Sequence, residues 1–383
     1  MGIKIPPRFS FFQQRNPLAD PKPSPDPAFA PARVKVEIRP SEARLHEVAS
    51  ALPGKSVVVI SSGRAQSAAL LASERSSASV TAWFLDSYRC QLAKEECEPN
   101  PDNLNFVCHA DWPIENEDSK VDMVCIDVQK GGEAELNRDL LQTSYNKLAE
   151  GASLVTSSDN PKDKWLMEQM QAFDKSVKVR KFEDAVVYRV IKKKPLKKLK
   201  DFSCQLAFRD EGNLIQLLTR PGVFAHRQFD NGARQILDII EVFPECNILE
   251  IGCGSGAMSL ALAKRDPSAN LFAIDSYSRA IDCVRRGAEL NGITNVVAEL
   301  NHDGELGDRA GQFDMVTANP PYYAEYRIAQ HFIETGVRAL RSGGRFVLVT
   351  RMPKWYRENL EKWFDEVEIF ESRRYHIATG VKA

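Results

Sequence analysis

The sequence predicts an α/β protein that consists of two tandem copies of one doubly wound fold. Strand-sized apolar runs alternate with helical patterns along the chain, as is typical of parallel sheets with helices on both faces. Several segments recur after about 190 residues, which indicates an internal duplication. The 383 residues are sufficient for two domains of ordinary size.

The duplication is visible in strands and in the helices that follow them. The recurring segments are residues 57–60 with 248–251, 84–88 with 273–277, 121–124 with 313–316, and 161–162 with 353–354. Helical patterns at 65–72 and 257–263 follow the first pair of strands. In the second pair, the shared Asp-Ser-Tyr predicts that Asp86 corresponds to Asp275. Near-constant offsets of this kind predict equivalent elements in the two halves.

Composition suggests where the two copies begin and end. Residues 1–33 contain eight prolines, which predicts a disordered tail. Six lysines surround a proline in residues 192–200, so we expect a basic linker at 191–200, either solvated or in contact with phosphates. Two apolar runs at 202–206 and 214–218 flank Asp-Glu-Gly-Asn, which predicts a β-hairpin at the start of the second copy.

The bulk properties exclude several classes of protein. A net charge of −1 gives no general attraction to nucleic acid, so any basic surface must be local. The apolar runs are too short to span a membrane, and no signal peptide is recognisable. The eight cysteines form no CxxC pair and lie at no ligand-like interval from histidine, which argues against a metal site. We expect a cytoplasmic monomer without metal or membrane association.

A glycine series after the apolar strand at 248–251 predicts a cofactor-binding turn. Gly252, Gly254 and Gly256 allow the backbone to turn tightly and to approach a ligand closely. The same spacing satisfies the dinucleotide fingerprint, with Asp275 as the ribose-binding acid, so a nicotinamide dehydrogenase is an alternative at this point. Glu250 favours a different ligand, because a carboxylate beside the turn suits the cationic amino group of a methionine moiety.

The sequence Asn319-Pro320-Pro321-Tyr322 follows the fourth strand of the second copy and is suited to transfer of a methyl group to a planar amino nitrogen. Such a nitrogen is a poor nucleophile, because its lone pair is delocalised. The Asn319 side-chain oxygen and the Pro320 carbonyl can accept hydrogen bonds from its two hydrogens. The prolines stiffen the loop, and Tyr322 offers a face for stacking. This motif leaves the dehydrogenase alternative without support.

These motifs resemble those of class I S-adenosylmethionine (SAM)-dependent methyltransferases that modify amino nitrogens. The segment Arg-Pro-Gly-Val-Phe-Ala-His-Arg-Gln-Phe-Asp-Asn-Gly at 220–232 is similar to one in ribosomal RNA guanine-N2 methyltransferases of the small subunit methyltransferase C and large subunit methyltransferase G families. The resemblance implies two tandem Rossmann-like methyltransferase folds. The N-terminal copy (34–190) would be degenerate and non-catalytic, and the C-terminal copy (201–383) would be catalytic.

The resemblance also implies the activity and the site. It predicts SAM-dependent methylation of the exocyclic N2 of a guanine in ribosomal RNA, either as naked RNA or in a ribosomal subunit. The base would be held by residues 319–322. Two residues would close over the cofactor, Phe224 and Asp230. The residues implied to hold the cofactor are Glu250, Gly252, Gly254, Gly256, Asp275 and Asp303.

One departure from the family pattern leaves the identity of the methylated group open. The family pattern continues after Asn-Pro-Pro with an aromatic residue and a histidine, whereas Tyr322 is followed here by Tyr-Ala-Glu. Similar motifs serve adenine-N6 enzymes and methyltransferases of a protein glutamine. A non-catalytic RNA-binding protein is a further alternative, although the intact glycine series argues against it. Asp303 has a second interpretation as a simple turn residue.

The first copy lacks the residues that this chemistry needs. Ser-Ser-Gly-Arg-Ala at 61–65 replaces the glycine series, and Arg64 is expected to project where a cofactor would lie. Asp127-Val-Gln-Lys stands in place of Asn-Pro-Pro-Tyr. Asp86 alone cannot form a site. Besides the lysine run, Arg373-Arg374 and His226-Arg227 are candidates for contacts with RNA.

Overall fold

The computed structural model describes residues 37–114, 120–129, 131–321 and 326–383. These residues form two compact units, the first ending at Phe202 and the second beginning at Ser203. The predicted disordered tail at 1–33, Lys130 and the segment 322–325, which includes Tyr322, lie outside the described residues. No helix in the described ranges combines the length and the apolar character needed to cross a bilayer.

The first unit alternates helices and strands. Its helices are α1 (Pro40–Ser50), α2 (Gln66–Glu74), α3 (Ser87–Glu96), α4 (Ala134–Lys147) and α5 (Trp165–Phe173). Its strands are β1 (Ser56–Ile60), β2 (Ser79–Phe84), β3 (Leu104–Cys108), β4 (Val121–Val128), β5 (Leu148–Ser158), β6 (Lys178–Lys181) and β7 (Val186–Ile191).

The second unit begins with a hairpin and then repeats the same plan. Its strands are β8 (Cys204–Asp210), β9 (Asn213–Thr219), β10 (Asn247–Ile251), β11 (Asn270–Asp275), β12 (Val296–Leu300), β13 (Phe313–Ala318), β14 (Leu340–Thr350), β15 (Asp365–Ser372) and β16 (Tyr375–Val381). Its helices are α6 (Asn231–Leu237), α7 (Ala257–Arg265), α8 (Ser278–Asn291), α9 (Arg327–Ala339) and α10 (Pro353–Asn359), with 3₁₀ turns at Gly307–Arg309 and Leu360–Lys362.

The two large sheets have the same topology, so the predicted duplicated α/β fold is confirmed. Their strand orders are β3-β2-β1-β4-β5-β7-β6 and β12-β11-β10-β13-β14-β16-β15. In each sheet one strand, β7 or β16, is antiparallel to both of its neighbours, and the other neighbouring strands pair in parallel. Neighbouring residues of β10 point to opposite faces, since Ile248 packs in one core and Leu249 in the other. The strand order reverses between β10 and β13, and ligands of such sheets bind at the carboxyl ends of the strands there.

The strand register corrects one predicted equivalence. Ile60 pairs with Trp83 in the first unit, and Ile251 pairs with Ile274 in the second. Phe84 therefore corresponds to Asp275, and the prediction that Asp86 does so was wrong by two residues. Asp86 instead caps α3 by accepting a hydrogen bond from the Arg89 amide at 2.9 Å.

The predicted hairpin opens the second unit, but its first strand is β8 at Cys204–Asp210 rather than 202–206. Asp210 pairs with Asn213 across Glu211 and Gly212, whose φ angles of 45° and 84° suit a two-residue turn. The Asp210 carboxylate is buried and accepts from Arg265 Nε of α7 at 2.7 Å. This buried ion pair fixes the hairpin to the body of the unit.

The first residue of the lysine run is buried in the first unit and is not part of a solvated linker as expected. Lys192 is only 7% exposed, and its Nζ donates to the carbonyls of Asn146 and Leu148, each at 2.7 Å. Gln142 exchanges hydrogen bonds with the backbone of Lys200 at 2.7 and 2.9 Å. Both ends of the run are thus attached to the first unit, and Lys192 is not available to a phosphate.

Candidate active site

The glycine turn after β10 has the backbone conformation that was expected of it. Gly252, Gly254 and Gly256 have φ angles of 73°, 53° and 79°, a region that favours glycine. A Cβ on Gly256 would lie 2.8 Å from Val284 of α8, whereas a Cβ on Gly254 would meet no atom within 4 Å. The turn therefore packs closely on one side and leaves open space above Gly254.

Asp275, at the end of β11, supports this turn. Its Oδ2 accepts a hydrogen bond from the Gly254 amide at 2.9 Å, and its Oδ1 accepts from the Tyr277 amide at 2.8 Å. One carboxylate thereby links the glycine turn to the start of α8. Its position beside the turn fits the predicted cofactor-binding role, which stays a prediction.

Glu250 lies beneath the turn and is 4% exposed. It accepts hydrogen bonds from the Ser259 hydroxyl and from the Ser259 amide, the latter at 2.8 Å. The residue before α7 is Gly256, which has no capping side chain, so Glu250 satisfies an amide of the first helical turn. Burial raises the pKa of the Glu250 carboxyl to about 8, and the negative charges of Asp275 and Asp230 add to this effect.

Asn319 follows β13 directly and is half-buried. Its Nδ2 donates a hydrogen bond to Asp230 Oδ2 at 2.6 Å. Asp230 also caps α6, accepting from the Gly232 amide at 2.8 Å and the Ala233 amide at 3.1 Å. Because a carboxylate only accepts, this contact assigns the amide nitrogen to the Asp230 side and the Oδ1 acceptor to the other side.

Gly232 makes this approach sterically feasible. A Cβ at this position would lie 2.8 Å from Asn319 Nδ2, closer than real Cβ contacts allow. Its φ lies outside the left-handed region, so the absence of a side chain, not the backbone angle, explains glycine here.

One cavity collects most of the predicted residues. It is lined by Phe224, Asp230, Ala233, Glu250, Gly252, Cys253, Gly254, Ser255, Ala257, Met258 and Asn319. Phe224 is 68% exposed despite its large apolar side chain. The loop before it is fixed, because Arg220 pairs with Asp282 at 2.7 Å and Arg279 donates to the Pro221 carbonyl at 3.1 Å. The loop thus holds an aromatic ring at the cavity.

Five of the predicted residues that the structure describes lie outside the cavity-lining set. Two of them, Gly256 and Asp275, form and support the glycine turn as described above. Pro320 is buried directly behind Asn319, and Pro321 is half-buried. Asp303 is exposed and accepts a hydrogen bond from the Glu305 amide at 3.0 Å, which fits its alternative interpretation as a turn residue. Tyr322 lies outside the described residues.

Two contributors were not singled out from the sequence, Gly232 and Ser259. Gly232 belongs to the Asp-Asn-Gly segment, and that cap signal could have identified it. Ser259 sits inside a helical pattern and carries no comparable signal.

The equivalent region of the first unit is filled by its own side chains. Arg39, which precedes α1, pairs with Asp127 at 3.5 Å, and a Cβ on Gly63 would collide with the Arg39 guanidinium. Glu42 is buried and accepts from the Ser67 amide and hydroxyl, each at 3.0 Å. The expectation that Arg64 occupies this space was wrong, because Arg64 pairs with Glu96 at the end of α3.

Potential metal ligands are dispersed in both units. Over residues 37–114, 120–129, 131–321 and 326–383, no three His, Cys, Asp or Glu side chains are grouped as metal ligands. The cysteines in these ranges are free thiols.

Comparisons with known proteins agree with this geometry. Residues 214–379 match the family model described as Methyltransferase small domain. Ribosomal RNA small subunit methyltransferase C of Chromohalobacter salexigens is 32% identical over 190 residues, which is 45% of this chain and 54% of that protein. The protein of the same name from Pseudoalteromonas atlantica is 31% identical over 168 residues, or 43% of this chain and 48% of that protein. The chain thus spans about half the length of these relatives.

A solved structure extends the likeness to both units. The T. thermophilus 16S rRNA N2 G1207 methyltransferase, in complex with AdoMet and guanosine, has a TM-score of 0.73 and 20% sequence identity. The alignment covers 90% of this chain and 92% of that one. At this identity the likeness establishes the fold. This chain therefore has the tandem methyltransferase-like fold of that structure, and its residues 214–379 match the methyltransferase small domain model.

Proposed function

We propose that this protein transfers the methyl group of SAM to the exocyclic N2 of a guanine in ribosomal RNA. The observation that carries the proposal is the Asn319 amide, oriented by Asp230 at 2.6 Å in a cavity that also contains the glycine turn. The names of the relatives that match the second unit support the same chemistry and substrate. This substrate implies a cytoplasmic protein, and we propose that it acts as a monomer.

The residues of the cavity fit SAM. Open space above Gly254 admits a ligand against the backbone, and Glu250 at the base of the cavity suits a cationic amino group. Asp275, whose carboxylate accepts from the Gly254 amide of the turn, is proposed to bind the ribose. Asp303 has no comparable position in the cavity, so its part in binding rests on the resemblance alone. When bound, SAM supplies an electrophilic methyl group on its sulfonium.

The chain's own contribution to the reaction is positioning. A guanine N2 carries two hydrogens and a delocalised lone pair, so hydrogen-bond acceptors must hold it and favour pyramidal geometry. Asn319 Oδ1 is the first acceptor, and the Pro320 carbonyl is the second. The Phe224 ring lies at the cavity, where it would close over the cofactor, and Tyr322 is predicted to stack on the target base. No strong general base is needed for this attack.

Methyl transfer from radiolabelled SAM tests the proposal directly. The wild-type chain is incubated with naked ribosomal RNA, ribosomal subunits and a protein fraction, and mass spectrometry of nucleosides identifies the labelled base. We expect N2-methylguanosine. Label in N6-methyladenosine or in a protein glutamine would replace the proposed target with one of the two alternatives, and binding of RNA without any transfer would make the chain a non-catalytic binding protein.

Asn319→Ala is the matched negative control. It removes one acceptor and leaves the glycine turn intact, so SAM affinity should stay within a few-fold. The lost hydrogen bond to a developing charge corresponds to roughly a hundredfold or more in rate. Retention of more than about a tenth of the wild-type rate would contradict the role of Asn319.

A further inference from the structure

Five cationic side chains lie at the same edge of the second sheet as Asn319. β13 and β14 run parallel, with Ala318 opposite Leu348, so the residues after both strands emerge together. β16 is antiparallel to β14, with Thr350 opposite His376, and this places the turn before β16 at that edge as well. The cluster consists of Arg351, Lys354, Arg357, Arg373 and Arg374, hereafter the edge cluster.

The edge cluster is exposed, and three of its five positive charges have no acidic partner among the described residues. All five side chains are exposed, and Lys354 and Arg357 are three apart on α10, so they share one helix face. Arg373 pairs with Asp238 at 3.4 Å. Within the described part of the chain, Lys354, Arg357 and Arg374 have no carboxylate within ion-pair distance.

Fewer acidic than basic residues lie around the edge cluster. Among the described residues, the acids at this edge include Glu358, Glu371 and the Asp238 that pairs with Arg373, and Glu371 lies 3.7 Å from His376. The other acids of β15 lie toward the opposite end of that strand. Residues 203–383 carry 21 lysines and arginines against 24 aspartates and glutamates, so this surface is positive in a unit that is negative as a whole.

Arg351 is preorganised by a neutral partner. Its Nη2 donates to the Tyr375 hydroxyl at 2.7 Å, and its guanidinium lies 4.6 Å from the centre of the Tyr375 ring. Contacts with the Tyr375 side chain restrict the rotamers of Arg351. Such an arginine is suited to a phosphate.

A hydrogen bond links the edge cluster to the methyl-transfer site. The hydroxyl of Ser372, next to Arg373, donates to Gln235 Oε1 of α6 at 2.8 Å. α6 begins at the Asp230 cap that orients Asn319. β13 and β16 are separated by one strand, or about 10 Å, which is within reach of the phosphates that flank a held base. The spacing between cluster and base is therefore set by ordered elements.

We infer that the edge cluster binds the phosphate backbone of the RNA whose base enters the cavity. The inference rests on the proposed function, because it takes the substrate to be RNA. Phosphate contacts position a nucleic acid without reading its sequence. The cluster therefore sets how the strand crosses the second unit, and it does so independently of the lysine run.

Salt dependence of RNA binding tests the inference. The edge variant, Arg357→Gln with Arg374→Gln, is compared with a matched variant, Arg309→Gln with Arg341→Gln, in the full-length chain. The matched pair removes two exposed arginines at the opposite end of the sheet, Arg309 before β13 and Arg341 near the start of β14. The slope of log affinity against log salt should fall by about 1.4 to 1.8 in the edge variant and by little in the matched variant. Affinity near 0.1 M salt should weaken about tenfold or more.

Three further readouts separate this inference from the proposed function and from binding of an acidic protein. SAM affinity should be unchanged in both variants, which confirms that the second unit remains folded. Equal slopes for the edge variant and the matched variant would overturn the inference, even if the wild type methylates ribosomal RNA. Failure of the wild type to methylate RNA would overturn the proposed function instead. If the edge variant loses affinity for polyglutamate but not for RNA, the partner is an acidic protein and the inference fails.

Discussion

The Asp230 carboxylate accepts a hydrogen bond from Asn319 Nδ2 at 2.6 Å, and the equivalent positions of the first unit hold an ion pair between Arg39 and Asp127 at 3.5 Å. Arg39 and Asp230 both precede the first helix of their unit, and Asp127 and Asn319 both lie at the carboxyl end of the equivalent strand. In the second unit an acid orients a neutral acceptor toward the cavity. In the first unit the two side chains form an ion pair with each other.

Asp230→Asn is expected to reverse the orientation of the Asn319 amide. Asp230 Oδ1 accepts from the Gly232 amide, whereas Oδ2 accepts from Ala233 and Asn319. An asparagine that keeps its oxygen on the Gly232 amide therefore turns its NH2 group toward Asn319 Nδ2, donor against donor. Asn319 would rotate and present Nδ2, not Oδ1, to the target nitrogen. We expect a fall in the single-turnover rate of roughly a hundredfold, with SAM affinity within about threefold and thermal stability retained, because asparagine is a good cap.

Asp230→Ser is the informative partner of this variant. Serine also caps helices well and imposes no such clash, so it should lose less activity than asparagine, although asparagine is closer to aspartate in size. A purely structural role would give the opposite order. A large loss of SAM affinity in both variants would instead support the predicted role of Asp230 in cofactor binding.

Gly232→Ala should slow the reaction without weakening the fold. The new Cβ would lie 2.8 Å from Asn319 Nδ2, so the Asn319 side chain must shift. A displacement of about 1 Å at a reacting group costs up to a hundredfold in rate. Alanine is a better helix former than glycine by up to about 1 kcal/mol, so the melting temperature should stay constant or rise. Activity and melting temperature are measured together, with Asn231→Ala, at an exposed position of the same helix, as the control.

SAM binding should release a proton near neutral pH. The pKa of Glu250 is raised from 4.5 to about 8, mainly by burial, so the carboxyl is largely protonated at pH 7 in the free protein. A cationic amino group beside it favours the ionised form. SAM affinity should therefore rise with pH below about 8, by up to about tenfold per unit between pH 6 and 7. Calorimetry in buffers of different ionisation enthalpy measures the proton.

The raised pKa of Glu250 makes the stability of the ligand-free protein change with pH in the direction opposite to SAM affinity. The unfolded chain loses the Glu250 proton near pH 4.5, whereas the folded protein keeps it to about pH 8. The free energy of unfolding of the ligand-free protein should thus fall as pH rises across this window. Glu250→Gln should flatten both pH dependences. A SAM affinity that is independent of pH between 6 and 8, with no proton exchange, would contradict this account of Glu250.

Much of the fold could be predicted, because apolar strands, the glycine series and the recurring offsets are local patterns. The exception was Asp86. Its Asp-Ser-Tyr neighbourhood resembles that of Asp275, yet the strand register places Phe84 there. The Asp-Ser-Tyr tripeptides of the two units are shifted by two residues relative to the strand register. This shift is visible only once the residues that pair across the sheet are known.

The sequence predicted six of the residues that line the cavity, Phe224, Asp230, Glu250, Gly252, Gly254 and Asn319, but not the contact that orients Asn319. The contact of Asp230 with Asn319 joins residues 89 positions apart, and no local pattern indicates which side of an amide faces a carboxylate. The filling of the first unit by Arg39 and Glu42 was equally hidden, since both precede the region where a cofactor turn is sought. Arg64 was the more conspicuous residue, but its side chain is drawn to Glu96.

Arg39→Ala should destabilise the first unit without creating a second cofactor site. Asp127 Oδ2 is buried and has no hydrogen-bond partner within the described residues, so its charge depends on the ion pair with Arg39. Removing one partner of a largely buried pair costs about 1 to 3 kcal/mol. Hydrogen exchange of the full-length chain should show weaker protection in β1 and β4. Calorimetry should give one SAM per chain before and after the substitution, because Glu42 still fills the space beside Ser67.

Arg64→Ala serves as the control, since its ion pair with Glu96 lies outside the filled region. We expect it to change the protection of β1 and β4 by less than about 0.5 kcal/mol. An equal effect of the two substitutions would mean that the Arg39–Asp127 pair stabilises the first unit no more than a surface ion pair does. Two SAM molecules bound per chain, in the wild type or in Arg39→Ala, would show that Glu42 does not close the space and that the first unit retains a cofactor site.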